Sequence, residues 1–587
     1  MKINKKVILL VVILLSLFLF QSIVTLNSTN LHFDGPAAIT IGYYDLKYLE
    51  TSFLITHPPL SHIIGTFPLL FLDINMPHSY QECSKIQMYQ CAQDLLFDSG
   101  NDLEKISIYA RTPFIIISLL LGLLLFFFSK ELYGIKAGLF SLTLYAFSPA
   151  ILAYNTVVFT DVIVTFFVFS TIYFLWKLIM QGYTKTRLIL TGISLGFALA
   201  SKFTAILLIP IIILLFAVKV FQSNNRKKTL KRFSIKFIII LLISFVALHS
   251  VFFFSIDTVA NSIPERNTKQ IDDFIDENLA EGSFNKKIAK SLLYDIKMPM
   301  PGYAVGLAKQ YSIGTLRYKR GYLNGEIYDG GKWYYFFEVL LIKTPIPLII
   351  FFLISFSISI KIIRKRYMNE IFLLLPIIFF FSVFIPSNFN LGLRHILPIM
   401  PFIFIFSSRV VNIRLENKLY NNLFRFFIGL LLLWYVVSAL FVMPNYTAYF
   451  NEFIGGSKNG HKYLLSSNLD LGQELKRLNN YLKSNNIDNI KLSYHGTFDP
   501  AYYNISYEPL PMELYIPWVL GSTPYKQGKD YIENCTKEYG IIAISVVNLY
   551  NSLFVNASCF NWLQDYEPIK RIGYTIFVFN ITEPVQQ

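Results

Sequence analysis

Charged residues are scarce in this 587-residue chain, and their scarcity excludes most classes of soluble protein. Asp, Glu, Lys and Arg make up 15% of the residues, against about 25% in a typical soluble domain. Hydrophobic residues reach 54% and aromatic residues 17%, and the mean hydropathy is +0.48. The composition predicts a polytopic α-helical membrane protein that also carries some soluble mass.

Several common catalytic signatures are also missing. The chain has no GxxxxGK[ST] loop and no HExxH motif. It has no His/Cys cluster at zinc-ligand spacing either. P-loop and HExxH zinc chemistry are therefore disfavoured, and no internal repeat of the kind typical of transporters is visible.

The formal net charge of +15 does not indicate a nucleic-acid partner. The basic residues cluster between apolar runs, as the positive-inside rule requires, and we expect membrane lipids as partners and no nucleic acid. The clearest clusters are Arg226-Lys227-Lys228 with Lys231 and Arg232, and Lys361 with Arg364-Lys365-Arg366.

Eleven apolar runs approach the length of a membrane-spanning helix. The first follows Lys2, Lys5 and Lys6 and lacks a small-residue cleavage site, which predicts an uncleaved anchor. With a cytoplasmic N-terminus, eleven crossings place the C-terminus outside. The weakest runs are 187–201 and 396–411, and losing one would invert everything after it. The runs are 7–24, 112–129, 137–154, 157–176, 187–201, 203–220, 236–255, 335–360, 370–386, 396–411 and 425–443.

This topology divides the chain into a transmembrane catalytic domain, 1–443, and an external α/β domain, 444–587. Long external segments at 25–111 and 256–334 favour an enzyme over a transporter. A leucine stripe in 470–486 predicts a helix, and two later apolar runs predict strands of a small parallel sheet. All cysteines and sequons fall outside; the expected disulfides are Cys83–Cys91 and Cys535–Cys559, with free thiols as the alternative, and the sequons are at Asn27, Asn445, Asn504, Asn556 and Asn580.

Two acids lie next to apolar sequence, where an ionisable group is costly and usually functional. Asp34 follows the first span, and Asp161 lies at the external mouth of the fourth. Two carboxylates at one face could supply a general base and a second group that orients an acceptor or a metal. The structural alternatives are an Asp-Gly-Pro turn for Asp34 and a helix N-cap at Thr160-Asp161.

Three basic residues lie at predicted external membrane boundaries. Arg111 opens the second span and Arg394 precedes the tenth, and guanidinium groups there suit a lipid phosphate. Lys202 separates two apolar runs, where it either caps a turn or contacts the same anion. For the arginines the alternative is interfacial snorkelling. Before these spans, Pro58 and Pro59 predict the start of a short helix. We expect His57, which precedes this helix, to contact the acceptor.

In this order, the motifs resemble those of the GT-C membrane glycosyltransferases of the protein O-mannosyltransferase type (glycosyltransferase family 39), which are related to the aminoarabinose lipid A transferases. The resemblance runs from about residue 30 to about residue 480. Its pieces are Asp34, the HPPL motif 23 residues later, ARTPFIIISLLLGLLLFFFSKELYGIKAGLFSLTLYAFSP, FTD at Asp161, GISLGFALASKFTAILLIP, YLNGEIYDGGKWYYFFEVLLIKTPIPL, GLRHILPIMPF and YFNEFIGGSKNGHKYLLSSNLDLGQELKRL.

The resemblance implies a GT-C fold and assigns roles to these residues. The family carries an Asp-Glu pair in its first external loop, whose acid deprotonates the acceptor; here Asp34 is followed by Gly35, so the Glu is missing. Asp34 would then act as the base, with Asp161 sharing the work, and Arg111, Arg394 and Lys202 would hold the carrier phosphate. The family's Asp-Trp-Gly-Gln pattern is Asp-Leu-Gly-Gln at residues 470–473.

The implied activity is that of an inverting hexosyltransferase. It would move a sugar such as mannose from a polyprenyl- or dolichyl-phosphate to a hydroxyl of a protein, lipid or glycan outside the membrane. No cofactor is required by this chemistry, although Asp34 and Asp161 could share a divalent metal. The expected location is the plasma membrane, with the endoplasmic reticulum as the alternative. A non-catalytic or transporting protein that binds lipid-linked sugars is the competing hypothesis, kept open by the missing Glu.

Overall fold

The computed structural model of the protein describes residues 4–51, 56–86, 88–312, 320–510, 537–550 and 559–582. It divides into two compact units. The first comprises Met1–Phe33, Phe114–Val157 and Tyr318–Gln587, and the second comprises Asp34–Pro113 and Val158–Arg317. The predicted division at residue 443 stays a prediction.

Helices dominate the described residues. The α-helices are α1 (Lys5–Ser28), α2 (Gly35–Tyr48), α3 (Leu60–Thr66), α4 (Tyr80–Lys85), α5 (Met88–Gln93), α6 (Leu103–Tyr133), α7 (Ile135–Ala146), α8 (Pro149–Tyr154), α9 (Thr160–Met180), α10 (Lys185–Leu199), α11 (Leu208–Phe221), α12 (Arg226–Val251), α13 (Glu265–Asn278), α14 (Phe284–Tyr294), α15 (Pro301–Ser312), α16 (Tyr335–Lys343), α17 (Ile346–Phe384), α18 (Met400–Ser408), α19 (Lys418–Val442), α20 (Leu475–Ser484) and α21 (Val546–Leu549).

Seven helices among the described residues are long and apolar enough to cross a membrane, or eight if one bent pair counts as a single span. The chain is therefore an integral membrane protein, but the predicted count of eleven spans is not confirmed. Run 137–154 forms two short helices, α7 and α8, and α10 has 15 residues, or about 22 Å. The seven are Lys5–Ser28, Leu103–Tyr133, Thr160–Met180, Phe203–Phe221, Arg226–Val251, Leu393–Asn412 and Lys418–Val442.

The predicted span 335–360 is broken into α16 and the first part of α17, which meet at 113°. Side chains from a later segment bind the backbone at this bend: the Asn451 side-chain amide donates to the carbonyls of Leu341 (2.6 Å) and Thr344 (2.7 Å). The Lys343 ammonium donates to the Thr447 carbonyl at 2.7 Å. These bonds satisfy polar groups that a break would otherwise leave unpaired in an apolar surrounding.

Helix α17 also corrects the predicted internal loop at 361–369. The backbone stays helical through this segment, from Ile346 to Phe384. Glu370, near its middle, is 4% exposed and accepts hydrogen bonds from the Tyr133 hydroxyl at 2.9 Å and the Arg409 guanidinium at 3.0 Å. Charge therefore interrupts the apolar run here without interrupting the helix, because the buried acid has partners on neighbouring elements.

The C-terminal part contains a five-stranded sheet of order β6-β5-β7-β9-β8. Strands β5, β6 and β7 are parallel, β9 pairs antiparallel with β7, and β8 pairs antiparallel with β9. This confirms an α/β region, although the sheet is mixed. The strands are β1 (Ile256–Asp257), β2 (Met298–Pro299), β3 (Arg320–Leu323), β4 (Glu326–Asp329), β5 (Ile490–Ser493), β6 (Tyr507–Pro509), β7 (Gly540–Ser545), β8 (Lys570–Ile572) and β9 (Ile576–Ile581).

The predicted helix at 470–486 begins later than expected, at Leu475. Its buried leucines are Leu475, Leu478 and Leu482. The fourth member of the predicted stripe, Leu471, lies in the loop before the helix. Gly472 in that loop has φ +76°, and a Cβ on it would lie 2.5 Å from the His495 carbonyl oxygen, so the chain turns there instead of continuing a helix.

The disulfide between Cys83 and Cys91 confirms one predicted pairing. Cys535, a member of the other predicted pair, lies outside the described residues.

Candidate active site

Two residues that the sequence singled out separately, Asp161 and Lys202, form a buried ion pair in the second unit. Asp161 lies in the first turn of α9, and Lys202 follows α10. The Lys202 Nζ lies 2.7 Å from Asp161 Oδ1, and the two residues are 6% and 2% exposed. Phe159, and not Thr160 or Asp161, occupies the N-cap position, so the Asp161 side chain serves an ion pair and not a cap.

The HPPL segment packs beside both members of this pair. The His57 ring meets the Phe159 ring edge-on, with centroids 4.9 Å apart, two residues before Asp161. The Leu60 N–H donates to the Ala200 carbonyl at 3.1 Å, two residues before Lys202. Helix α3 begins at Leu60, with Pro59 as its N-cap, which confirms the predicted helix start. Its apolar length, Leu60–Phe71, is too short to span a membrane.

Asp34 occupies the N-cap position of α2 in the same unit and is partly exposed. Its side chain makes no capping hydrogen bond, while its carbonyl accepts from the Ala38 N–H at 2.9 Å. Helix α2 packs closely on α3 because Gly42 lacks a Cβ: a Cβ there would lie 2.6 Å from the His62 carbonyl oxygen. Asp34 therefore begins the helix that packs on the HPPL helix.

The two arginines predicted to bind the carrier phosphate belong to different compact units. Arg111 lies inside α6 in the second unit and is 4% exposed. Arg394 lies in the first unit, in a 3-10 turn at Leu393–Ile399, and is partly exposed. The backbone of that turn is fixed by Asn468, whose Oδ1 accepts from the Leu393 N–H at 3.0 Å. Their joint binding of a phosphate stays a prediction.

Two buried acids in the Asp-Leu-Gly-Gln loop form a second polar cluster, in the first unit. Asp470 is 1% exposed, and its Oδ1 accepts from the Gly472 N–H at 2.9 Å. Burial raises the pKa of Asp470 to about 8. Burial also raises the pKa of Glu474, against the opposing charge of Arg477, which donates to Glu474 Oε1 at 2.9 Å.

These acids lead to a prediction about pH. Because the folded-state pKa of Asp470 is above its unfolded value, its contribution to stability is present below pH 4 and is lost as the pH rises toward 8. We expect the free energy of unfolding to fall by up to about 1.4 kcal/mol per pH unit in this window. Asp470→Asn should flatten the dependence and raise stability at pH 8, whereas Asp488→Asn, at an exposed acid, should not. Thermal unfolding between pH 5 and pH 8 measures this, and equal slopes for both variants would contradict it.

Sequence reasoning missed two polar residues, one in each unit. Asp45 in α2 is 2% exposed, and burial, followed by the Glu50 charge, raises its pKa well above the usual range. Asn30, just beyond α1, is 4% exposed and heavily hydrogen-bonded. The available signal for Asn30 was weak: a polar residue between an apolar run and the Asp-Gly-Pro turn. Apart from Leu31, its bonding partners lie more than 440 positions away.

The residues that the structure describes contain no group of three or more His, Cys, Asp or Glu side chains arranged to hold a metal ion. Among the site residues predicted from the sequence, Asp161 and Lys202 form an ion pair.

Comparison with known families finds one matching segment. A model of the family described as dolichyl-phosphate-mannose-protein mannosyltransferase matches residues 103–252, about a quarter of the chain. This segment contains Arg111, Asp161 and Lys202, and over its length the match confirms the resemblance expected from the sequence. No curated protein matches the chain.

Solved structures of low sequence identity also resemble the chain. They include the oligosaccharyltransferase AglB of Archaeoglobus fulgidus, in complex with an inhibitory peptide and a dolichol-phosphate (12% identity, 90% of this chain and 62% of that chain, TM-score 0.44). ArnT of Cupriavidus metallidurans, bound to undecaprenyl phosphate, gives 10% identity, 97% of both chains and a TM-score of 0.45. The S. cerevisiae Pmt1-Pmt2 complex, bound to the sugar donor, gives 16% identity, 43% and 34% coverage and a TM-score of 0.31. The chain spans about three fifths of the AglB chain.

Proposed function

We propose that this protein is a membrane glycosyltransferase that moves a sugar, mannose in the simplest case, from a polyprenyl- or dolichyl-phosphate to an acceptor hydroxyl on the external face. The observation that carries the proposal is the mannosyltransferase family match over 103–252, the segment that holds Arg111 and the buried Asp161–Lys202 pair. The acceptor is a protein, lipid or glycan hydroxyl, and the host membrane is the plasma membrane or the endoplasmic reticulum.

The reaction is a single displacement at the anomeric carbon. The acceptor oxygen forms a bond to that carbon, the bond from carbon to phosphate oxygen breaks on the opposite face, and the configuration inverts. The acceptor proton passes to the Asp34 carboxylate. The carrier phosphate departs as an anion, so its stabilisation by cations matters more than a general acid.

Three cationic side chains are assigned to that phosphate: Arg111, Arg394 and Lys202. An ammonium group has three N–H donors, and the contact with Asp161 uses one of them. In this proposal Asp161 orients Lys202, which directs its other N–H groups at a phosphate oxygen. His57, packed on Phe159, lies on the acceptor side of the same unit.

The test is transfer by the purified full-length protein in liposomes. Labelled mannosyl and glucosyl phosphates of dolichol and undecaprenol are supplied, with a lysate of the host as acceptor. Transfer with release of the polyprenyl phosphate supports the proposal, and NMR of the product should show an inverted anomeric centre. Sugar moving across the liposome membrane with no new glycosidic bond would instead support the transporter. Repeating the assay with EDTA, then with Mg²⁺ or Mn²⁺, determines whether a divalent cation is needed.

A further inference from the structure

The stretch of chain that leads into Asp34 is bound to a loop near the other end of the sequence. The Phe33 N–H donates to the Leu471 carbonyl at 2.8 Å, and the Asn30 N–H donates to the Gln473 carbonyl at 3.3 Å. Both contacts lie within the first unit. The backbone immediately before Asp34 is therefore fixed along the Asp-Leu-Gly-Gln loop.

Asn30 holds this arrangement through both ends of its side-chain amide. Its Nδ2 donates to the Gly472 carbonyl at 2.8 Å and the Leu31 carbonyl at 2.7 Å, and lies 3.3 Å from the Tyr494 hydroxyl. Its Oδ1 accepts from the Leu475 N–H at 2.8 Å. Leu475 is the first residue of α20, whose N-cap residue makes no side-chain capping bond. Asn30 thus supplies the cap of a helix 445 positions away.

The C-terminal sheet contributes a second set of contacts to the same segment. Thr497, four residues beyond the end of β5, donates its hydroxyl proton to the Phe33 carbonyl. The His495 ring stacks on the Phe33 ring, with centroids 5.2 Å apart and planes at 27°. These residues follow the carboxyl end of a parallel strand, the edge where open α/β sheets usually bind ligands. Here that edge binds the chain's own N-terminal segment.

We propose that Asn30, the loop Leu471–Leu475, Tyr494 and Thr497 form a clamp within the first unit that fixes the backbone leading into Asp34, with Asn30 as its central positioning residue. The inference rests on the proposed function, because it gives the clamp a role only if Asp34 is the base. A general base works only within hydrogen-bond reach of its proton, and a displacement of about 1 Å can lower a rate about 100-fold. In this inference the clamp acts on the geometry of the backbone before Asp34 and has no part in binding the carrier.

The structure offers two independent ways to loosen the clamp. Asn30→Ala removes both ends of the amide, whereas Asn30→Asp keeps an oxygen for the Leu475 N–H and loses the donor to Gly472. Thr497→Val removes the hydroxyl bond to Phe33, and Thr497→Ser restores it. Asn485→Ala is the matched control, because Asn485 is exposed and its side chain bonds only locally, to the Tyr481 carbonyl at 2.8 Å.

We expect kcat to fall about 10- to 100-fold in Asn30→Ala and by less in Thr497→Val, with donor KM unchanged and Thr497→Ser close to wild type. Amide hydrogen exchange at Phe33 and Leu475 should accelerate in both loosened variants, and not in Asn485→Ala. This second readout does not depend on activity, so it tests the clamp even if the protein transfers no sugar. Thr497→Val removes a single hydrogen bond. If Thr497→Val and Asn30→Ala both lower the rate and accelerate exchange, misfolding of the Asn30 variant does not explain the lost rate.

The outcomes separate this inference from the proposed function. Full kcat in Asn30→Ala and Thr497→Val, with exchange at Phe33 unchanged, would overturn the clamp while leaving the glycosyltransferase intact. A fall in kcat matched by an equal loss of global thermal stability, with no local exchange change at Phe33, would also overturn it. Wild-type transfer by Asp34→Asn would overturn the base assignment instead, and the accelerated exchange would then report a purely structural clamp.

Discussion

Replacing Asp34 by asparagine is expected to lower the transfer rate by about 10²- to 10⁴-fold. The amide is close in size to the carboxylate and keeps the N-cap position of α2 filled, but it cannot accept the acceptor proton. Asparagine is as good an N-cap residue as aspartate, so the start of α2 should be retained. The measurement is the single-turnover rate in liposomes with saturating donor, which separates chemistry from carrier binding.

The matched control is Asp73→Asn, which removes an exposed acid from the same predicted external segment, 25–111. It should transfer at the wild-type rate. Asp34→Glu should recover part of the lost rate, because it restores a base at a displaced position. Undiminished transfer by a normally expressed Asp34→Asn would contradict the assignment of Asp34 as the base and favour Asp161 in that role.

Replacing Lys202 by methionine is expected to destabilise the protein by about 3–5 kcal/mol, because it leaves the Asp161 carboxylate buried without its cation. The pair lies at 2.7 Å with both residues under 10% exposed. Methionine fills a similar volume, so the loss reports charge more than packing. Thermal unfolding of the protein in detergent measures it, and Lys105→Met, at an exposed lysine of α6, is the control.

The double variant Asp161→Asn with Lys202→Met separates stability from function. Removing both charges should recover much of the lost stability, since no uncompensated ion stays buried. If Lys202 also binds the carrier phosphate, the stable double variant should still show a raised KM for the donor. Equal stability of the single and double variants would show that the two charges are not coupled, and a normal KM would remove Lys202 from the phosphate site.

How far the sequence predicts this structure depends on how local each determinant is. The start of α3 at Leu60 follows from Pro58 and Pro59 alone, because proline suits a first helical turn. Strands β5 and β7 follow from short apolar runs. The predicted loop at 361–369 is wrong, because the helical hydrogen bonds of α17 continue through this basic stretch. Composition identifies a break in the apolar run, whereas the break in the helix lies at the bend after Lys343.

The candidate site also contains residues that local sequence reveals and residues that only the folded chain reveals. Asp34, Asp161 and Lys202 stand out because charge is expensive beside apolar sequence, and the structure brings the last two into contact. Their catalytic roles stay predictions. The residues around Asn30 could not be found this way, because an asparagine near a span carries no periodic signal. Its importance comes from bonds to Gly472 and Leu475, which only the folded chain brings near.

The distance along the chain between Asn30 and the groups that hold it has a consequence for biosynthesis. Apart from Leu31, the partners of its side chain lie 442 to 464 positions later, and at about 5–20 residues per second a ribosome needs roughly 20 to 90 seconds to reach them. Throughout that interval the segment before Asp34 has left the ribosome without the contacts that fix it. This early stretch of the chain is thus among the last to take its final form, and the step that completes it depends on the loop Leu471–Leu475 and on the residues that follow β5.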